Sequence, residues 1–141
     1  MKGHPLHREF LTSTATFSKC RKYRYTLSRT WDRKLPAACW ILLNPSTADE
    51  RVLDPTLRRC LGFSRDWGFG TMWIANAFAF RSPYPRHVYA ADDPIGPRND
   101  AHIRRLAKKA GRVIVGWGVH GALQNRSASV IDLLTRCNVE A

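Results

Sequence analysis

The sequence predicts an α/β fold: a three-layer α/β/α sandwich around a mostly parallel central sheet, preceded by an N-terminal antiparallel hairpin. Three observations predict it. Three short apolar runs, 38–43, 71–77 and 112–117, lack polar alternation, as strands buried on both faces require. Helix-like patterns of βαβ length separate them, from Asp54 to about Trp67 and from Asn99 to Gly111. The stretch before the first run alternates instead, with Tyr23, Tyr25 and Leu27 on one face and Arg24, Thr26 and Ser28 on the other, which is the pattern of a half-buried strand.

In chain order, residues 1–13 show no period and are expected to form an irregular arm. Residues 15–30 form the hairpin, and its turn carries Lys19, Arg21 and Lys22 beside the two tyrosines. These tyrosines are either core or a stacking surface for bases. The run Trp40-Ile41-Leu42-Leu43 breaks at Asn44-Pro45, because proline cannot continue a central ladder and holds the preceding residue extended. Asp54-Pro55-Thr56 then starts a helix, with an N-cap carboxylate followed by proline at the first helical position. Leu57, Cys60 and Leu61 line its inner face.

The second run ends at Asn76, a polar residue in an apolar strand that either satisfies a neighbouring loop or is kept for a ligand. The following segment, FAFRSPYPRHVYAADDPIGPR, is too broken by proline for regular structure and reads as a long loop over the crevice. Asn99 and Asp100 cap the next helix, whose buried stripe is Ile103, Leu106, Ala107 and Ala110. The third run leads into Gly118-Val119-His120-Gly121, which presents a histidine as a phosphate contact, a general acid or base, or a plain turn residue. The last helix is expected over 127–137, with Val130, Leu133, Leu134 and Cys137 inward.

At 141 residues the chain is read as one domain, with its α/β core over 38–141. No run reaches the length of a membrane span and the N-terminus has no signal-type apolar segment, so a cytoplasmic protein without a membrane partner is expected. The four cysteines are scattered with no C-x-x-C pair, the pattern of structural thiols, and neither a metal nor another cofactor is expected. There are 23 Lys+Arg against 11 Asp+Glu, a net charge of +12 that favours polyanionic partners. Nucleic acid is the first candidate, and nine of those basic side chains fall in residues 1–34.

The segments YRYTLSR, WILLNPSTAD, DPTLRRC, WGFG, NAFAFR, DDPIGPRNDAHI and VIVGWGVHG resemble the bacterial and phage domain-of-unknown-function family 1643 (DUF1643), in order and with family-like spacing over 17–134. That family in turn is similar to the uracil-DNA glycosylase superfamily. The second resemblance implies that Asn44, in the position of an Asp-Pro or Asn-Pro motif, orients an attacking water, and that Asn76, in IANAFAFR, reads a base edge. VIVGWGVHG fits the third strand of that superfamily, and the helix before it starts with polar residues similar to Asn99-Asp100. The superfamily's closing His-Pro segment does not occur before Ala141, so the core is expected to lack its last strand, and His120 lies on a different strand from the missing histidine.

The candidate catalytic residues are therefore Asn44 and His120. Asn76, Ser46, Thr47, Phe78, Phe80, Trp117 and Asn99 are candidates for binding the base or substrate, with Phe69 as a further stacking ring. Arg21, Lys22, Arg24 and Arg81 are candidates for the nucleic-acid backbone. The expected function is hydrolysis of the bond between a nucleobase and DNA by positioned water. Two alternatives stand beside it, a non-catalytic nucleic-acid-binding module and an enzyme acting on free nucleotides or nucleosides.

Overall fold

The computed structural model describes residues 10–137. The element order is β1 (Thr12–Phe17), β2 (Arg24–Thr30), β3 (Ala37–Leu42), α1 (Pro55–Asp66), β4 (Thr71–Asn76), α2 (Pro85–Ala90), α3 (Asn99–Lys109), β5 (Arg112–Gly116) and α4 (Arg126–Arg136), with a 3₁₀ segment, Val119–Asn125, before α4. The five strands make one open sheet in the order β1-β2-β4-β3-β5.

The expectation of a mostly parallel sheet does not hold. Pairs β1–β2 and β2–β4 are antiparallel, and only β4–β3 and β3–β5 are parallel. The hairpin, expected to precede the sheet, is continuous with it: Leu27 lies opposite Ile74 and Thr30 opposite Thr71, where the two threonine hydroxyls meet at 3.1 Å. β2 is thereby an inner strand. Side chains read from the alternation as solvent-facing are buried, Arg24 at 1% and Thr26 at 7% exposed, and Arg24, beside a register shift in the β1–β2 pairing, reaches the loop that follows β3. Periodicity alone shows two chemically different faces and cannot show what lies over the polar one.

Apolar side chains pack on both faces of the sheet, as the runs at β3 and β4 require, whereas β5 is an edge strand in which Val113 is buried and Ile114 and Val115 are half-buried. Cys39, Ile41, Ala75 and Val113 pack with Ile103 and Leu106 of α3 and Val130 and Leu134 of α4. On the other face Ala38, Trp40, Met72 and Ile74 pack with Leu57, Cys60 and Leu61 of α1. Odd and even residues of β3 divide between the two cores, the period of two that a strand imposes. The Trp40 indole N–H is not left unpaired by burial: it donates to Ser64 Oγ at 2.9 Å, whose hydroxyl donates to the Cys60 carbonyl at 2.8 Å. α1 starts as read, with the Asp54 carboxylate accepting from the Leu57 N–H at 2.9 Å and Pro55 following.

Two local readings change. The segment after β4 contains a short helix, α2, which Ser82 helps to start: its hydroxyl oxygen accepts from the Tyr84 N–H at 3.1 Å and pairs with His87 Nδ1 at 2.6 Å. Asn99 does not cap α3. It is the first residue of that helix and fully buried, with Nδ2 donating to the carbonyls of Asn76 at 2.8 Å and Ala77 at 3.2 Å. Its amide nitrogen is held by acceptors at the end of β4, while its buried Oδ1, the atom a cap would use, accepts from no described residue.

Tyr25 is 3% exposed and stacks on His102 at 4.9 Å, so of the two readings of this tyrosine the core one applies. His102 is pushed below its ordinary 6.5 by burial and by Arg105 and Arg98, and its Nδ1 accepts from Arg105 at 3.1 Å. Because the unfolded chain binds a proton more readily than the folded one, stability is fully present above 6.5 and falls as pH drops below that value. Urea midpoints measured across mildly acidic pH are expected to fall toward acid in the wild type and to fall less in His102→Gln. Equal slopes for the two proteins would show that His102 is not the responsible group.

Candidate functional site

The order of the parallel strands creates a crevice. The chain passes from β3 through α1 to β4 on one side of β3, then through α3 to β5 on the other. Connections that part on either side of a strand leave room at its carboxyl end, where open α/β sheets hold ligands. A cavity of about 210 Å³ lies there, lined by Leu42, Leu43 and Asn44 after β3, Asn76 at the end of β4 and Gly116 at the end of β5. Arg24, Ser46, Asp54, Thr56 and Leu57 complete it.

Asn44 is tied by its amide. Nδ2 lies within hydrogen-bond distance of three carbonyl oxygens, Ser82 at 2.9 Å, Pro45 at 3.0 Å and Phe80 at 3.2 Å. Three acceptors around one atom identify it as the nitrogen and leave Oδ1 as the carboxamide's acceptor. The Ser82 N–H donates in turn to the Pro45 carbonyl at 2.8 Å, and those of Ala77 and Phe78 to Leu42 and Leu43. The segments after β3 and β4 thus continue the ladder past the sheet and bring the two asparagines together.

Asn76 is 1% exposed and its Oδ1 accepts from Arg24 Nη2 at 3.4 Å. Arg24 enters the cavity from β2, and its Nη1 donates to the Ala48 carbonyl at 3.0 Å. Burial pulls the Arg24 pKa down to about 10, against the favourable field of Asp54, so the guanidinium stays charged at neutral pH. Arg29, equally buried, donates to the carbonyls of Asp49 at 2.6 Å and Ser28 at 2.9 Å. Together the two arginines hold the loop that follows β3. Burial acts to raise the Asp49 pKa, but the N–H groups of Arg51 and Val52 and the charge of Arg29 bring it below the usual carboxylate value.

Of the residues singled out from the sequence, Asn44, Ser46 and Asn76 share this cavity. Thr47 is exposed and does not line it. Phe78 is fully buried in the α3–α4 core, and Phe69 precedes β4 at the opposite end of the sheet, where it is 8% exposed in the α1 core. Neither ring is placed to stack on a base in the cavity. Phe80 is half-buried and packs edge-on to Tyr23 at 6.3 Å, Trp117 packs against the α3–α4 core, and Asn99 braces the end of β4 from outside the cavity. His120 is exposed, pairs with the Tyr89 hydroxyl at 3.0 Å and does not line the cavity.

The backbone candidates separate as well. Arg21 and Arg81 set their guanidinium groups over Phe17, at 3.9 and 4.6 Å from the ring centre, with Lys22 exposed beside them. Arg24, expected among them, lies inside instead, buried against Ala48 of the loop after β3 and Asn76 of β4. Asp54, Thr56 and Gly116 were missing from the sequence-derived site. Asp54 carried a signal, since an N-cap after a strand-end loop also faces the strand ends, but its capping role accounted for it completely.

The family described as Protein of unknown function (DUF1643) matches residues 24–141, most of the chain. The chain belongs to this family. The match begins at Arg24, so the DUF1643 region contains every residue that lines the cavity. No curated protein and no solved structure matches the chain. Among the described residues of this DUF1643 member, no group of three or more His, Cys, Asp or Glu side chains is placed to hold a metal, and no helix is long and apolar enough to cross a membrane.

Proposed function

We propose that the chain is a nucleobase N-glycosylase-like hydrolase, and that its cavity receives a base turned out of a DNA strand. The observation that carries this reading is that Asn44 and Asn76, at the ends of neighbouring parallel strands, line one small cavity. Helices on both faces of a sheet whose inner strands β4 and β3 run parallel also support a relationship to the uracil-DNA glycosylase-like three-layer fold.

Glycosidic cleavage asks the protein for position more than for a strong base, because the sugar acquires cationic character as the bond breaks. Asn44, its amide nitrogen held by three carbonyls, presents Oδ1 to orient a water. Asn76 offers its amide to the base. Water adds to the sugar carbon and gives up a proton to solvent, while the carbon–nitrogen bond breaks with its electron pair leaving on the base. The Arg21–Phe17–Arg81 cluster and Lys22 supply contacts for the phosphate backbone, and the cytoplasm is the proposed site of action.

The test is release of free base from a panel of duplexes carrying modified or mismatched bases. Wild-type protein is expected to release at least one, and Asn76→Asp, which keeps an acceptor for Arg24 but removes the amide donor, to lower the rate by about 10²–10³-fold. Absence of release from the whole panel, or an unchanged rate in Asn76→Asp, argues against this function. The paired arginines over Phe17 favour one second reading, a binding module without turnover. It requires a salt-dependent DNA affinity that weakens in Arg21→Gln/Arg81→Gln and is indifferent to Asn76→Asp.

A further inference from the structure

Arg24 differs from the other buried arginines among the described residues. Arg29 gives its Nη groups to two carbonyls, and Arg126 donates to the Ala77 carbonyl at 2.6 Å and to the Asp100 carboxylate at 2.6 Å. Arg24, 1% exposed, has one good acceptor, the Ala48 carbonyl, and one long contact to Asn76 Oδ1, while its buried Nε has no hydrogen-bond partner among the described residues. A guanidinium carries five N–H donors, and these two contacts use two of them. Among the described residues no carboxylate lies within ion-pair distance of it. A buried charge so poorly matched is costly, and a ligand that completes its hydrogen bonds offsets that cost.

Its surroundings are donors too. The N-terminus of α1 reaches the cavity through Thr56 and Leu57 and brings the positive end of a twelve-residue helix. Asn76 Nδ2 donates to no other described residue, since the side chain's only described bond is through Oδ1. Among the described residues Asp54 is the one acidic side chain in the lining, and its carboxylate is engaged in capping α1.

We propose that the cavity is an anion site in which Arg24 and the Asn76 amide take a negatively charged oxygen of a small ligand, either a phosphate oxygen or an exocyclic oxygen of a deprotonated nucleobase. This goes beyond the base-release reading, because it stands on Arg24 and holds whether or not a bond is cut. On that reading the same donors would meet the charge that builds on the departing base.

Three probes separate the possibilities at neutral pH and fixed ionic strength: inorganic phosphate, 5-nitrouracil, which is anionic there, and uracil, which is neutral. The expected result is a rise in the wild-type melting temperature with phosphate or 5-nitrouracil, relative to chloride, and none with uracil. Whichever anion acts names the source of the charge. Arg24→Met is expected to stay folded without ligand, since relief of an unmatched buried charge offsets the lost contact to the Ala48 carbonyl, and to bind the acting anion at least tenfold more weakly. In wild-type protein the Arg24 Nε–H resonance is expected to move on titration, a readout that does not depend on the variant folding. A wild type indifferent to both anions, an equal response to uracil, or an undiminished response in Arg24→Met overturns the proposal. None of these outcomes is decided by the presence or absence of base release.

Discussion

Replacing Asn44 by aspartate is expected to destabilise the protein by about 2–4 kcal/mol at neutral pH, more than replacing it by alanine. Nδ2 is surrounded by the carbonyls of Pro45, Phe80 and Ser82. Alanine leaves those acceptors to water or to each other, and the site is half-buried, so part of the loss is recovered by solvent. Aspartate does worse, because it places a charged acceptor among three acceptors. The folded carboxyl should therefore hold its proton more tightly than in the unfolded chain. Its deficit should shrink as pH falls and the protonated oxygen donates to one carbonyl, and grow as pH rises through the carboxylate range. Urea midpoints of the two variants at acid and neutral pH measure this. Equal values for alanine and aspartate at neutral pH would mean that the carbonyls do not select the amide. The prediction bears on mechanism, since the same three contacts that make Asn44 structural are what hold Oδ1 still.

Gly70→Ala is expected to cost about 3 kcal/mol or more, near the upper end of overpacking effects. Gly70 sits where the entry to β4 crosses the β2–β3 connection, accepting from the N–H groups of Trp31 at 2.9 Å and Asp32 at 3.1 Å and donating to the Pro36 carbonyl at 2.9 Å. A Cβ there would fall on the Asp32 carbonyl oxygen, with the Asp32 carbonyl carbon and Leu35 Cβ at 2.9 Å. The obstacle is mainly backbone held by those same hydrogen bonds, so relief means losing them. Gly62→Ala is the matched control. Gly62 lies within α1 with nothing within 4 Å of its added Cβ, and the change is expected to stabilise by about 0.5–1 kcal/mol. Thermal or urea unfolding of the two variants gives the comparison, and a Gly70→Ala protein as stable as wild type would show that this crossing is soft.

Much of the fold was legible because local patterns and tertiary outcome agreed. The start of α1 at Asp54-Pro55 and the placing of β3, β4 and β5 on the three apolar runs each follow from side-chain chemistry within a few residues of sequence. The inward set of α4, Val130, Leu133 and Leu134, follows likewise. Part of the site was legible for the same reason, since a buried strand that stops at an asparagine points to its own end. Asn99 shows the limit. A polar residue before a helical pattern reads as a cap, yet its amide serves the carbonyls of Asn76 and Ala77, acceptors more than twenty residues away in sequence. His120 shows another, because a glycine-flanked histidine advertises exposure but not which cavity it faces, and its described partner is Tyr89.

By itself the sequence determined the class of elements, their order, and which side chains are apolar enough to need burial, because these depend on period and composition along the chain. Only the tertiary structure decided that the hairpin joins the sheet beside β4, and with it the fate of Arg24. In sequence that residue is one basic side chain on an alternating strand, indistinguishable from a surface contact for phosphate. Once β2 has a neighbour on either side and the loop after β3 reaches Arg24, the same guanidinium is taken from water and left facing a cavity. Burial belongs to what packs against a residue, and for Arg24 the covering atoms, Ala48 and Asn76, come from parts of the chain that its local pattern cannot describe.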